Sequence, residues 1–145
     1  MTLHTIERDS KHPYPPRITP FTQPFWEALH ASRFVTSQCR HCAAMTFPPK
    51  IICPKCWSDE IDWVEPGTQG KLYSWTRIHA GPEVFQDLLP YAVGIVDLDS
   101  GVRLACPIIH DTPLECEMRV ELMRIQYADG SQLAARPVAD KPGIG

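Results

Sequence analysis

Four cysteines form two pairs with the spacing that metal-binding knuckles use. Two residues separate Cys39 from Cys42 and Cys53 from Cys56, and ten residues lie between the pairs. Such spacing turns both thiolates of a pair to the same side, and four thiolates in a tetrahedron select zinc or iron. We therefore predict that these four cysteines hold one structural zinc ion. Because four sulfur ligands complete its coordination sphere, the ion would have no open position for Lewis-acid catalysis.

Other interpretations of the pairs are a rubredoxin-type iron site and redox-active or vestigial cysteines. A thioredoxin-like redox site lies where a strand runs into a helix, and no helical pattern follows Pro54 in the second pair. Zinc is therefore favoured. His41, inside the first knuckle, could replace a cysteine ligand, but four cysteines suffice and a solvent-facing position is favoured.

The remaining reactive side chains give no enzyme motif. Cys106 lies in an apolar run and is interpreted as a core residue, and the carboxylates on either side of Cys116 disfavour its thiolate. His79 and His110 each follow a predicted strand and are interpreted as ordinary strand-end histidines. The sequence contains no glycine-rich phosphate loop, nucleophile elbow or HExxH motif. It therefore predicts no catalytic residue.

Composition narrows the class of protein. A chain of 145 residues with 43% hydrophobic residues can form a compact domain, or a small module joined to one. Its net charge of −3 does not supply the basic surface that nucleic-acid binders need. We expect a cytoplasmic protein with no membrane partner, because the sequence has no secretory leader and no run of roughly 18 apolar residues. Six cysteines in such a chain favour metal over disulfides.

The elements that would position the cysteines are short. Fifteen prolines disfavour long helices, and four of them fall in residues 1–20. We predict that this segment is extended and poor in hydrogen bonds, as an arm that hugs the surface or is partly disordered. A short helix is predicted to follow, through about Ser32, with Thr22 as its cap and Pro24 in its first turn.

Alternating residues predict strands on both sides of the cysteine pairs, at residues 34–38 and 61–64. Strand, knuckle, hairpin, knuckle and strand follow one another as in a zinc ribbon. Beyond it, five more strands are predicted, at residues 71–78, 91–98, 102–106, 118–127 and 133–138. Five strands without a helical period among them indicate a small closed barrel.

From about residue 20 to residue 138, the chain resembles the family of zinc-ribbon and OB-fold proteins once catalogued as domain of unknown function thirty-five. The matching segments are PFWEAL from Pro24, the two cysteine pairs, FPP from Phe47, GKLYSWT from Gly70, PYAVGIVDL from Pro90, GVRL from Gly101 and MRV from Met118. Their combination is far more specific than any one of them. A departure is Glu117, where the family often has a glycine before the methionine.

The resemblance implies a mainly β fold with a short N-terminal helical segment (a helical hairpin in the family), a rubredoxin-like zinc ribbon and a five-stranded OB-fold barrel. The corresponding division of the chain is 1–33 for the arm and helix, 34–65 for the ribbon and 66–145 for the OB-fold domain with its tail. It also implies a hetero-oligomer with a thiolase-fold enzyme, or a hotdog-fold hydratase, acting on acyl thioesters. The family gives no catalytic residue to carry over.

The main hypothesis is therefore a non-catalytic, zinc-binding accessory subunit of a multicomponent acyltransferase or thiolase-like acyl-CoA enzyme. Exposed apolar side chains such as Trp57, Trp63 and Trp75 would contact the partner. Alternatives are a stand-alone acyl-CoA-binding module and a subunit of an enoyl-CoA hydratase or retro-aldolase complex. A base-stacking platform of Tyr73, Trp75 and Tyr91 is disfavoured by the weak basic content.

Overall fold

The computed structural model describes residues 2–11, 17–79 and 91–138. Within these ranges the chain forms one helix, α1 (Gln23–His30), and nine strands. The strands are β1 (His4–Glu7), β2 (Thr36–Cys39), β3 (Met45–Thr46), β4 (Ile61–Val64), β5 (Gln69–Ile78), β6 (Tyr91–Leu98), β7 (Arg103–Ile108), β8 (Arg119–Tyr127) and β9 (Gly130–Pro137).

Strands β5 to β9 close into the predicted five-stranded OB-fold barrel. The strands pair in the order β5-β6-β7-β9-β8, and β8 pairs back onto β5. All of these pairings are antiparallel except that of β7 with β9, which is parallel and rests on Ile108 opposite Ala135. The fold predicted from the sequence is thus confirmed.

The barrel closes because alternate residues of its strands are apolar. Every second residue of β6 and of β7 is buried, including Val96, Leu104 and Cys106. Cys106 is therefore the core residue that its apolar surroundings predicted, and burial raises the pKa of its thiol to about 12.

The prediction of an N-terminal arm poor in hydrogen bonds is partly wrong, because residues 4–7 form a paired strand. Strand β1 runs parallel to β8 and adds a sixth strand to the barrel sheet, and Leu3 is buried in the barrel core. The open edge of β8 satisfies backbone donors and acceptors that an isolated arm would leave to water. Three of the prolines on which the prediction depended, Pro13, Pro15 and Pro16, lie outside the described residues.

The start of helix α1 has the predicted proline in its first turn but lacks the predicted side-chain cap. Pro24 lies in the first turn, where its missing N–H is harmless. Thr22 occupies the N-cap position but makes no capping hydrogen bond, because its backbone is already helical (φ −84°, ψ −9°) and its Oγ1 accepts the N–H of Thr19 at 2.9 Å. No second helix of the expected hairpin is present in the described ranges, where no helix is long and apolar enough to cross a membrane.

The zinc-ribbon sheet has the strand order β3-β2-β4 and packs on α1 through aromatic rings. The ring of Phe25 lies 6.3 Å from that of Phe34 and 5.7 Å from that of Phe47. These rings and the barrel interior form one continuous core. Trp63 and Trp75 are half-buried against that core, so the expectation that their side chains are exposed is wrong. The core holds the base of the ribbon in place and leaves its cysteine turns at the far end.

Candidate metal centre

The four cysteines lie in two turns at one end of the ribbon sheet. Cys39 ends β2 and Cys42 lies in the turn that follows, whereas Cys53 and Cys56 lie in a second turn ahead of β4. Cys39 is paired with Ile61 at the start of β4. Pairing of β2 with β4 therefore brings the two turns side by side.

Their sulfur atoms form one compact group. All four Sγ atoms lie within 4.8 Å of one another. The Sγ atoms of Cys39 and Cys56 are 3.5 Å apart, as are those of Cys42 and Cys53. A zinc ion with bonds of about 2.3 Å to four sulfurs requires S···S distances of about 3.8 Å. The group therefore fits one tetrahedral ion, and it is the only such group of potential ligands within residues 2–11, 17–79 and 91–138.

Backbone N–H groups in each turn point at the first sulfur of the pair. The N–H groups of His41 and Cys42 donate to the Sγ of Cys39 at 3.3 and 3.4 Å, and the N–H of Lys55 donates to the Sγ of Cys53 at 3.4 Å. Hydrogen bonds of this kind stabilise a thiolate. They are what a negatively charged metal-sulfur centre requires from its surroundings.

The pKa values of the two buried cysteines, Cys39 and Cys53, reflect these hydrogen bonds. The N–H of Cys56, followed by that of Lys55, lowers the pKa of Cys53 to about 6 against the opposing effect of burial. The pKa of Cys39 is lowered as well, chiefly by the N–H of Cys42. Two of the four sulfurs are thus prepared to bind as thiolates.

Cys56 behaves differently. The N–H of Ser58 favours its thiolate, but burial and the other three thiols outweigh that effect and raise the pKa of Cys56 to about 12. When no ion is bound, the four sulfurs compete for protons, and protonation belongs to the group as a whole. Binding of a dication would displace the protons that remain on the group.

The structure also shows where the other candidate residues lie. His41, His79 and Cys116 are exposed, and His110 is half-buried with its Nδ1–H donated to the backbone oxygen of Thr112 at 2.8 Å. None of the three histidines joins the group of cysteines.

Tyr73, Trp75 and Tyr91 do not form an open surface on which bases could stack. Tyr73 is 48% exposed, but the guanidinium carbon of Arg103 lies 4.1 Å from the centre of its ring. Trp75 and Tyr91 are half-buried. Of the three rings, only that of Tyr73 is largely exposed, and Arg103 covers one of its faces.

A cavity of about 590 Å³ lies at one end of the barrel, and no sequence pattern had indicated it. Its lining includes His4, His110 and Arg136, which come from widely separated parts of the chain. The guanidinium of Arg136 is neutralised by Glu121 at 2.6 Å. No sequence pattern could have identified His4, because the pairing of β1 with β8 was not predicted.

Two family models match the chain over adjacent ranges. The rubredoxin-like zinc ribbon domain of ChsH2 matches residues 26–62, and the C-terminal OB-fold domain of ChsH2 matches residues 63–126. Together they cover the cysteine turns and most of the barrel.

Individual proteins are similar over the same region. A DUF35 domain-containing scaffold protein of Methanocaldococcus jannaschii is 31% identical over 77 residues, which are 52% of this chain and 55% of that protein. The benzoylsuccinyl-CoA thiolase subunit BbsA of Thauera aromatica is 31% identical over 87 residues, 59% of this chain and 58% of the subunit. The chain thus aligns with little more than half of the length of these relatives.

Among solved structures, the Ltp2-ChsH2(DUF35) aldolase contains a chain that superposes with a TM-score of 0.76 at 29% sequence identity. The superposition covers 86% of the present chain and 100% of that chain.

Proposed function

Because the chain belongs to the family of proteins that join a rubredoxin-like zinc ribbon to an OB-fold domain, we propose that it is a non-catalytic accessory subunit of a multicomponent enzyme acting on acyl-CoA thioesters. In this proposal it supports assembly of the complex or binding of the acyl substrate, and a thiolase-like subunit supplies the nucleophile. The observation that carries the proposal is the shared two-part architecture of the chain and of a chain in the aldolase assembly.

We assign the zinc to Cys39, Cys42, Cys53 and Cys56, whose sulfurs have the required number and separation. A bound zinc ion supplies folding energy rather than catalysis, since apparent binding energies of structural zinc reach about 10–16 kcal/mol. The N–H groups of the two turns then hold the thiolates in place. The ribbon becomes a rigid element on which a partner can dock.

The side-chain chemistry supports a non-catalytic role. Cys106 is buried with a pKa of about 12, too high for a nucleophile. His110 donates its Nδ1–H to the Thr112 carbonyl, and no thiol or hydroxyl is hydrogen-bonded to it across the described ranges. The reacting groups would therefore come from another subunit.

Purification of the chain from its native host tests the proposal. We expect a zinc-containing chain that co-purifies with an enzyme of acyl-CoA metabolism, has no acyl-transfer activity by itself, and raises the activity or stability of that enzyme when added back. Robust turnover by the isolated chain would contradict the proposal.

A second candidate is a subunit of an aldolase or hydratase complex, which the superposition on the Ltp2-ChsH2(DUF35) aldolase favours. The co-purified partner separates the two candidates. A thiolase-fold partner that catalyses acyl transfer supports the first, whereas carbon–carbon cleavage or hydration of an enoyl thioester by the reconstituted complex supports the second.

A further inference from the structure

The zinc ribbon buries two hydroxyl groups beside its first cysteine turn. Thr36 and Ser37, both in β2, are exposed by 0% and 2%. A buried hydroxyl destabilises the fold unless it is hydrogen-bonded, so each needs a partner. Both donate to the same backbone carbonyl, that of Thr46 at the end of β3. The hydroxyl of Ser37 also has a second partner, which lies between the two cysteine pairs.

The second partner of Ser37 is the backbone of Lys50. The N–H of Lys50 donates to the Oγ of Ser37 at 3.1 Å, and the hydroxyl of Ser37 donates to the Thr46 carbonyl at 3.3 Å. A serine hydroxyl has one donor and two acceptor lone pairs, so it can make both hydrogen bonds at once. One buried side chain thus joins β2 to the chain on both sides of Phe47-Pro48-Pro49.

The segment of residues 47–52, which we call the linker, has few other attachments. Two of its six residues are prolines and have no N–H. Within the described ranges, the N–H of Lys50 is the one backbone donor of the linker that has a hydrogen-bond partner. The ring of Phe47 packs in the core and anchors the start of the linker. The hydrogen bond to Ser37 therefore lies between that anchor and Cys53.

Side-chain packing adds little on either side of the second cysteine turn. Ile51 and Ile52, ahead of it, are exposed by 62% and 46%, and Trp57, directly after it, is exposed by 79%. The pairing of β4 with β2 holds the chain that follows the turn. On the side that precedes the turn, the hydrogen bond to Ser37 is the last attachment before Cys53 in the described part of the chain.

The two buried cysteines differ in what fixes them. Cys39 belongs to β2 and is paired with Ile61 of β4, whereas Cys53 lies outside the strands. The chain from Lys50 to Cys53 can extend to about 11 Å, so it does not fix the sulfur by itself. A zinc ligand must keep its bond length to within about 0.2 Å. Release of the linker would thus disturb Cys53 and leave Cys39 in place.

We propose that Ser37 is a positioning residue of the metal centre, whose hydroxyl holds the linker on β2 and thereby keeps the sulfur of Cys53 at the ion. The inference rests on the zinc assignment made above and is independent of the partner. Loss of that hydroxyl would act in one direction. The Thr46 carbonyl would keep a second donor in Thr36, whereas the N–H of Lys50 would keep no acceptor among the described residues. The site would then open from the side of Cys53.

The rate of zinc release from the loaded full chain tests the proposal. Transfer of zinc to an excess of the chelator 4-(2-pyridylazo)resorcinol is followed by absorbance. We expect Ser37→Ala to release zinc about three- to tenfold faster than the wild type, the factor that corresponds to one net hydrogen bond. Thr36→Val is the matched control, because it removes a neighbouring buried hydroxyl that has the same carbonyl acceptor and no hydrogen bond to Lys50. Its release rate should stay at the wild-type value.

The same hydrogen bond can be removed from its exposed end. Lys50→Pro deletes the N–H and leaves β2 unchanged, so it tests the bond even if position 37 does not tolerate alanine. It should speed zinc release as Ser37→Ala does. Lys50→Ala removes the charged side chain but keeps the N–H, and it should release zinc at the wild-type rate.

Pulse alkylation shows which cysteine leaves the ion first. The loaded chain is treated with N-ethylmaleimide during zinc release, and mass spectrometry measures the labelling of each cysteine. Ser37→Ala should raise the ratio of Cys53 to Cys39 labelling at least about threefold. A general loss of ribbon stability would instead raise the labelling of both cysteines alike.

The outcomes separate this inference from the assignment on which it rests. If elemental analysis finds no zinc in the wild-type chain, the zinc assignment fails and the inference fails with it. If zinc is present but Ser37→Ala and Lys50→Pro release it at the wild-type rate, or label both cysteines alike, Ser37 is not a positioning residue and the assignment stands. Equal acceleration of release by Thr36→Val would overturn the inference in the same way.

Discussion

Gly70 packs so closely against Leu98 that a Cβ atom at position 70 would lie 2.7 Å from the Leu98 Cα atom. Gly70 is also paired with Val120 of β8, so the contact lies where β5 meets both of its neighbours and closes the barrel. Two backbones approach here, and neither can move without disturbing the sheet. Only glycine leaves enough space.

We therefore expect Gly70→Ala to lower the free energy of unfolding by about 1–3 kcal/mol, the usual range for overpacking. Urea unfolding followed by circular dichroism measures the change. Gly130→Ala is the matched control, because a Cβ atom there would meet nothing within 4 Å. An unchanged urea midpoint for Gly70→Ala would show that the barrel seam is looser than this geometry requires.

Glu117 holds a left-handed backbone, with a φ of +70°. Its N–H donates to the carbonyl of Leu72 at 2.8 Å, which fixes the turn, and its side chain makes only an exposed ion pair with Lys71 at 3.6 Å. A glycine, which the resemblance led us to expect at this position, would adopt the left-handed backbone without strain.

Glu117→Gly should raise the free energy of unfolding by about 0.5–1 kcal/mol, since relief of the left-handed strain exceeds the entropy cost of glycine and the exposed ion pair contributes little. Glu115→Gly, two residues earlier and without a positive φ, should be destabilising. Thermal unfolding of both variants distinguishes strain relief from a general effect of glycine.

Removal of one sulfur ligand should abolish zinc binding and unfold the ribbon. For Cys53→Ser we expect elemental analysis to show no zinc, and a loss of dispersed signals from residues 36–64 in NMR spectra. Cys116→Ser removes an exposed cysteine outside the cluster and should retain the full zinc content. Retention of zinc by Cys53→Ser would remove Cys53 from the ligand set.

Asp97 gives the barrel a pH-dependent contribution. Its carboxylate accepts hydrogen bonds from the Nε and Nη2 of Arg103 at 2.5 and 3.0 Å, which lower the pKa of Asp97 below its ordinary value of 3.8. A carboxyl group with a lowered folded-state pKa stabilises the fold fully above pH 3.8 and loses that contribution as the pH falls through the folded-state pKa. The effect is small, because both side chains are substantially exposed.

Asp97→Asn should therefore be slightly less stable than the wild type at pH 7 and converge towards it in acid. Unfolding temperatures measured between pH 2 and pH 7 give the comparison. Acid also protonates the cysteines, in every variant alike. The informative quantity is therefore the difference in unfolding temperature between Asp97→Asn and Asp59→Asn. Asp59 is an exposed acid without an ion pair in the described ranges. Parallel curves for the two variants would argue against the contribution of Asp97.

Much of the fold could be predicted because it depends on local patterns. The strands at residues 61–64 and 91–98 have the predicted bounds: the first was predicted from alternating residues and the second from a nearly continuous apolar run. The spacing of the cysteines was enough to predict that their sulfurs group together, and the pairing of β2 with β4 produces that grouping. The division of the chain at residues 33 and 65 stays a prediction, and helix, ribbon base and barrel share one core.

What could not be predicted depends on contacts between distant parts of the chain. Strand β1 has only four residues and exists because β8 offers a free edge. The partial burial of Trp63 comes from contacts with the main core and with the ring of Phe21, whose centre lies 5.3 Å away. The exposure of Trp57 depends likewise on which side of the second turn remains uncovered, which only the folded ribbon determines.

The pairing of β1 with β8 also sets an order of events during synthesis. Arg124 donates its Nε–H to the Oγ1 of Thr5, across 119 positions of the chain. Once residue 64 has emerged from the ribosome, all four cysteines are available to a metal ion, but β1 still has no neighbour to pair with. Segments translated early must therefore wait for late ones, and a nascent chain that stalls before β8 would carry a loaded metal site beside an unfinished barrel.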